Sequence, residues 1–215
     1  MNIQSNMKRS NLASFCLTAG FLAASAIFTP APPLHAQKSP PPASLTDDDA
    51  AVYTSLLKDL YQAAKGRPII LSNQTALGVP PGMVGNLPVQ GPQTNTFLER
   101  IAPDARQNYE DINHASLHIP SPCKFAPDCQ LVDLADVTLQ VKNEKAWRKF
   151  MLKHPNTPGI IIVSRIGYNG ARDQAVVYSG MSCGELCGQG EFTWLLKHNG
   201  VWEVESSNVV WISTK

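Results

Sequence analysis

The chain has 215 residues, with 18 Lys plus Arg against 17 Asp plus Glu, a formal net charge of +1, and 43% hydrophobic residues. That composition belongs to a globular chain with a sizeable core, and it lacks the basic field that drives nucleic-acid binding through counterion release. Five cysteines, 17 prolines and 14 glycines point to a turn-rich fold whose thiol chemistry depends on its compartment.

The N-terminus speaks to that compartment. Lys8 and Arg9 precede an uncharged apolar stretch from Asn11 to Phe28; Pro30, Pro32 and Pro33 follow, then Leu34-His35-Ala36. A basic region, an apolar region and a small residue at the end read as a secretory signal, so residues 1–36 are expected to be a leader cleaved before Gln37. A retained membrane anchor is the rival reading, because an apolar segment of about eighteen residues approaches a bilayer span. The prolines and the Ala before Gln37 favour processing. Cleavage would remove Lys8, Arg9 and Cys16, leaving a chain of net charge near −1 with four cysteines. An even cysteine count in an exported chain predicts two disulfides. No later segment is apolar for long enough to span a membrane.

Residues 37–45 are Pro-rich and read as an extended tether. The folded domain is expected over residues 46–215, opening with a helix. Thr46 is placed to cap it with Asp49 three residues on, and Tyr53, Leu56, Leu57, Leu60, Tyr61 and Ala64 recur at helical spacing. Gly66 and Pro68 end it. Pro68-Ile-Ile-Leu71 is a short buried-strand candidate, and residues 76–96 hold too many Pro and Gly for any periodicity. Short helices are expected over 96–101 and 105–117, the second started by Pro103. A turn-rich stretch over 120–129 precedes a strand over 132–141. Asn143 then opens a helix through His154 with Trp147, Phe150 and Met151 facing inward, and the histidine reads as a cation favoured by the helix C-terminus.

The last fifty or so residues carry the clearest pattern. Asn169-Gly170 and Asn199-Gly200 each separate β-type runs, the strongest short-range hairpin signal, because both central residues of a type I′ turn need φ > 0. Residues 159–166 suit a central strand pairing back to 174–179. Thr193 and Leu195 are expected on one face of the next strand, and Phe192, Trp194 and Leu196 on the other. Trp202 and Val204 pack across the hairpin, and residues 206–208 interrupt the last strand as a bulge. At fold level this strand, hairpin, Asn-Gly and Trp tail resembles the helix-plus-curved-sheet domains of the nuclear transport factor 2-like and cystatin-like kinds. The resemblance brings no catalytic residue with it.

Four groups of residues are candidates for chemistry. Cys123 with Cys129, and Cys183 with Cys187, are expected to pair locally as disulfides, since both pairs lie in tight loops. A zinc site made of all four thiolates is the sharper alternative, although spacings of five and three intervening residues depart from the usual two-residue knuckle. Gly180-Met-Ser182-Cys-Gly184 matches the nucleophile-elbow pattern, yet a hairpin rather than a helix is expected after it. His114 and His118, four apart, share one side if a helix carries them, but Pro120 argues that the helix has ended. Glu185, in the Cys183–Cys187 loop, could line a polar cleft with Arg165, Tyr168 and Arg172; a solvated turn is the simpler reading.

The sequence thus predicts a single exported α+β domain, periplasmic or extracellular, with an antiparallel meander of four to six strands on two principal helices. No nucleotide loop is present, no cofactor is expected, and the favoured function is a non-catalytic binding or accessory module of the cell envelope with a protein or small-molecule partner. The alternative is a small hydrolase or metal-dependent enzyme drawing on Ser182, His114, His118 and Glu185. The two separate on whether the histidines approach Ser182 or Glu185.

Overall fold

In the computed structural model, which describes residues 44–77, 92–133, 135, 144–184 and 187–213, the apolar run Ile69–Ser72 forms β1 and is buried at all four positions. Burial on both faces requires neighbours on both edges and cover above and below. Two parallel strands supply the edges, β2 (Cys129–Val132) and β3 (Ile160–Val163). Beyond β3 the sheet turns antiparallel through β5 (Gln174–Gly184), β6 (Cys187–His198) and β7 (Val201–Ser213). A two-residue β4 (Gly167–Tyr168) pairs with the start of β5, completing a seven-stranded sheet of order β2-β1-β3-β5-β6-β7.

The expected antiparallel meander is therefore corrected to a mixed sheet, and four helices accompany it among the described residues: α1 (Asp47–Ala63), α2 (Pro92–Arg100), α3 (Pro103–Ile112) and α4 (Glu144–Lys153). Parallel neighbours need long crossovers. The β1-to-β2 connection carries α2 and α3, and the β2-to-β3 connection carries α4. β2 ends at Val132, and the strand expected over 132–141 falls mostly on residues 134 and 136–143, which lie outside the described residues. The leader 1–36 and the long Pro/Gly stretch from residue 78 to 91 also lie outside them.

α1 covers one face together with Ile119 and Phe125 of the segment before β2. Its Val52, Tyr53, Leu56 and Leu57 pack with Leu71, Ile161, Val177, Leu195 and Trp202 in the largest core cluster. The opposite face is divided: Phe97, Ile101, Ala105 and Tyr109 meet Val176, Tyr178, Phe192 and Trp194, while Phe150 of α4 meets Ile70 and Ile160. Strand alternation places Leu195 on the α1 side and Phe192 and Trp194 on the other, as the sequence pattern predicts.

Both ends of α1 follow its sequence. Asp49 N donates to Thr46 Oγ1 at 3.2 Å and Thr46 N donates to Asp49 Oδ2 at 2.8 Å, a capping box with Asp as its acid. At the other end Gly66 takes φ +72 and donates its N–H to the Tyr61 carbonyl at 3.0 Å. Asn199 and Gly200, at φ +51 and +84, form the expected tight hairpin turn. Asn169-Gly170 does not. β4 and β5 are joined by residues 169–173, with Arg172 at φ +54 and the Asn169 side-chain oxygen accepting from the N–H groups of Asp173 and Gln174. Asn169 closes this loop with its side-chain amide as well as its backbone, whose N–H donates to the Gln174 carbonyl at 3.2 Å and whose carbonyl accepts from Arg172 N at 3.0 Å.

Two local disulfides are present, Cys123–Cys129 and Cys183–Cys187, with Cα separations of 5.5 and 5.0 Å. The first closes the loop leading into β2; the second ties β5 to β6 across their turn.

Candidate functional site

The site follows from unequal lengths. A 17-residue α1 spans about 25 Å, whereas the 12-residue β6 beneath it spans about 40 Å. The helix is pinned at its N-terminal end, where Asp48 accepts from Lys197 Nζ at 2.7 Å, Arg172 Nε at 3.1 Å and Trp202 Nε1 at 3.3 Å, close to the Asn199-Gly200 turn. The other end of the sheet consequently emerges from under the helix.

Where α1 stops, a cleft of about 230 Å³ opens between its last turn and β5 and β6. Leu60, Ile161 and Met181 give it apolar walls, and Ser179, Gln189 and Glu191 bring polar groups into it. Glu191 sits on β6 opposite Ser179 of β5 and Val209 of β7. Its Oε1 accepts from the Ser179 hydroxyl at 3.5 Å, the outer limit of a hydrogen bond. Burial pushes the carboxyl above its usual range; the Ser179 hydroxyl opposes that rise and the Asp59 carboxylate adds to it. Among the described residues no cation forms an ion pair with Glu191. Arg67, also on the rim, donates its Nε to the Ala64 carbonyl at 3.0 Å.

A second, wider hollow of about 630 Å³ runs between the outer side of α1 and the start of β7, edged by Thr54, Lys58, Gln62 and Glu203. Those four side chains are exposed, and the buried Trp202 beside them already donates its indole N–H to Asp48, so the hollow has little to orient a ligand.

The residues singled out from sequence do not converge among the described residues. Ser182 lies within β5, paired with Ile160 at the start of β3 and with Gly188, rather than on a strand-to-helix elbow. α3 ends at Ile112, so His114 and His118 fall in the segment after it, exposed between the buried Asn113, Leu117 and Ile119. That segment is held at the far end of β3: Asn113 Oδ1 accepts from Arg165 N at 2.9 Å, and His118 bridges to Gln74 just beyond β1. Glu185 lies outside the described residues. Arg172 and Tyr168, expected near the cysteine loop, stack on each other at 4.3 Å at the opposite end of β5. Cys123, Cys129, Cys183 and Cys187 are held in two separate disulfides, which replaces the four-thiolate zinc alternative. No group of three or more His, Cys, Asp or Glu positioned for a metal occurs among the described residues. His154 packs against Phe150 at 4.7 Å, and burial, followed by Lys153, lowers its pKa, which opposes the cation expected at this helix end.

Sequence reasoning passed over Glu191. A signal was available, because Glu191 shares its strand face with Thr193 and Leu195, which makes it a carboxylate at an inward-facing position.

Fold and site together define an α+β domain with a mixed seven-stranded sheet, two local disulfides and a cleft at the open end of its main helix. A scan against protein-family models finds no match, and searches of the curated proteins and of the solved structures find none either.

Proposed function

We propose that the chain is an exported, disulfide-stabilised domain that binds a small ligand in the Glu191 cleft and does not transform it. The observation that carries this reading is the Glu191 carboxyl, desolvated between apolar walls with one long hydrogen bond to the protein. Apolar clefts with a few inward polar groups and a perturbed carboxyl are the default form of a ligand site. The separation of Ser182 from the histidine segment favours binding over hydrolysis, since no placed base accompanies the hydroxyl among the described residues. Two disulfides fit an oxidising compartment, and the N-terminal pattern read as a leader supplies the route there. No helix among the described residues is long and apolar enough to cross a membrane.

The compartment is tested by intact mass of the protein recovered outside the cytoplasm, with thiol alkylation before and after reduction. The reading expects a mass starting at Gln37 and alkylation only after reduction; free thiols in the native protein would overturn it. The cleft is tested with Ala63→Phe, which places a ring at its mouth from an exposed helix position. A fragment library screened by protein-observed NMR should give hits around Ser179 and Met181 that this variant abolishes.

A further inference from the structure

Glu191 has more hydrogen-bonding capacity than the protein uses. A carboxylate offers about four acceptor positions, and the protein contact it has is the Ser179 hydroxyl at 3.5 Å. The carboxyl is half-buried, and its remaining acceptor positions are open to solvent or to a ligand. Three sources of negative potential converge on the cleft. One is Glu191 itself; the second is Asp59, which lies outside the cleft among the exposed residues of the wider hollow and acts on the Glu191 carboxyl through its charge alone. The third is the C-terminal pole of α1, whose carbonyl end at Ala63 and Ala64 forms the rim. Arg67 lines the same rim and donates its Nε to the Ala64 carbonyl, so one carbonyl of this pole is already met by a cation.

The remaining chemistry distinguishes a metal ion from an organic cation. A hard divalent ion needs six or so oxygen ligands in a closed shell. Here one carboxylate faces Leu60, Ile161 and Met181, and no group of three metal-binding side chains occurs among the described residues. A primary ammonium has three donors and no acceptor. Those donors suit a site of acceptor oxygens, and an attached alkyl body suits the apolar walls. From this arrangement we infer that the cleft binds a small organic ammonium, its charged head on Glu191 and its short apolar body against Leu60, Ile161 and Met181. The inference rests on the reading of the cleft as a ligand site and adds the class of ligand.

The test titrates the folded, oxidised protein at neutral pH with n-pentylammonium, n-pentanol and pentanoate, three probes of similar length that differ in head group. Binding is followed by protein-observed NMR at Ser179, Met181 and Glu191, in the wild type, Glu191→Gln and Ala63→Phe. Glu191 is half-buried, and the isosteric amide is expected to leave the fold intact. The ammonium should bind at least about tenfold more tightly than the alcohol, a ratio in line with a charge-assisted hydrogen bond, and the carboxylate should give no shifts. Glu191→Gln should remove the preference for the ammonium, and Ala63→Phe should remove all binding. Equal binding of ammonium and alcohol, or an ammonium affinity unchanged in Glu191→Gln, would overturn the ligand class and leave the cleft standing. If none of the probes perturbs the cleft in the wild type, the ligand class fails, and a fragment screen equally silent there removes the ligand site as well.

Discussion

The Tyr168 hydroxyl donates a 2.9 Å hydrogen bond to Asp49 Oδ1, joining β4 to the first turn of α1 across 119 residues of sequence. The other oxygen of the same carboxylate accepts from Thr46 N and Thr46 Oγ1, both at 2.8 Å. Asp49 thus caps the helix and also anchors it to the sheet. Tyr168→Phe leaves the cap in place and removes the anchor, leaving a buried carboxylate oxygen without its donor. The expected cost is about 1.5–3 kcal/mol, the range for hydrogen bonds to charged groups, read as a lower urea midpoint at unchanged slope.

Asp48 makes stability pH-dependent at the acid end. Its hydrogen bond from Lys197 is the largest influence, and with Arg172 and Trp202 it outweighs burial and holds the carboxyl below its ordinary value of 3.8. A folded-state pKa below the unfolded one contributes stability above the unfolded value and loses it as pH falls through the folded value. Asp48→Asn should therefore be less stable than the wild type at pH 7 by about 1 kcal/mol, the scale of a partly exposed ion-pair network. The gap should close as pH falls below about 4. Thermal unfolding of both proteins from pH 2 to pH 7 checks this; a gap that persists at pH 2 would contradict it.

What the sequence made legible is what is encoded within a few residues. Thr46 with Asp49, Gly66 after the helix, and Asn199-Gly200 each specify a local conformation by their own chemistry, and both disulfides close short loops. Ile69-Ile-Leu-Ser72 was readable as a buried strand, but a four-residue run does not encode the direction of its neighbours. Parallel pairing with Cys129–Val132 depends on crossovers of more than fifty residues' separation, so the mixed sheet stayed hidden. Asn169-Gly170 was misread because Asn can close a loop with its side chain as readily as with its backbone. The cleft was least legible. It arises where a helix is shorter than the strands beneath it, a relation between elements rather than a property of any segment.

The open end of the sheet is kept thin on its other face by glycine. Trp211 donates its indole N–H to the Tyr178 hydroxyl at 2.9 Å, and a Cβ at Gly190 would collide with Trp211 Nε1 and the Tyr178 hydroxyl. Gly190→Ala must displace the indole, and a cost of about 1–3 kcal/mol is expected from overpacking, together with changed near-ultraviolet circular dichroism from Trp211. Gly200→Ala is the contrasting case. Its Cβ would meet nothing within 4 Å, yet φ is +84, so it should lose about 1 kcal/mol through backbone strain with the aromatic signal unchanged. An equal spectral change in both variants would show that the indole reports general loosening and not contact with Gly190.

Glu191 carries the opposite pH signature to Asp48, and this separates a binding carboxylate from a structural one. Burial raises its folded-state pKa above the ordinary value of 4.5. A raised pKa means that its contribution is fully present below the unfolded value and is lost as pH rises through the folded value. The ionised form is thus tolerated at a cost; Asp59 adds to that cost, and Arg67 is tied by its Nε to the Ala64 carbonyl. Glu191→Gln removes the ionisation, so the variant should be more stable than the wild type at pH 7 to 8, with the difference shrinking toward pH 4. Asp48 should behave the other way round, since its charge is satisfied by Lys197, Arg172 and Trp202. A Glu191→Gln variant less stable than the wild type at neutral pH would mean that the carboxylate is paired within the folded protein. The cleft would then be a strut of the fold rather than a place for a cation. A more stable variant that no longer prefers an ammonium would show the trade-off expected where a fold keeps an unpaired charge for a ligand.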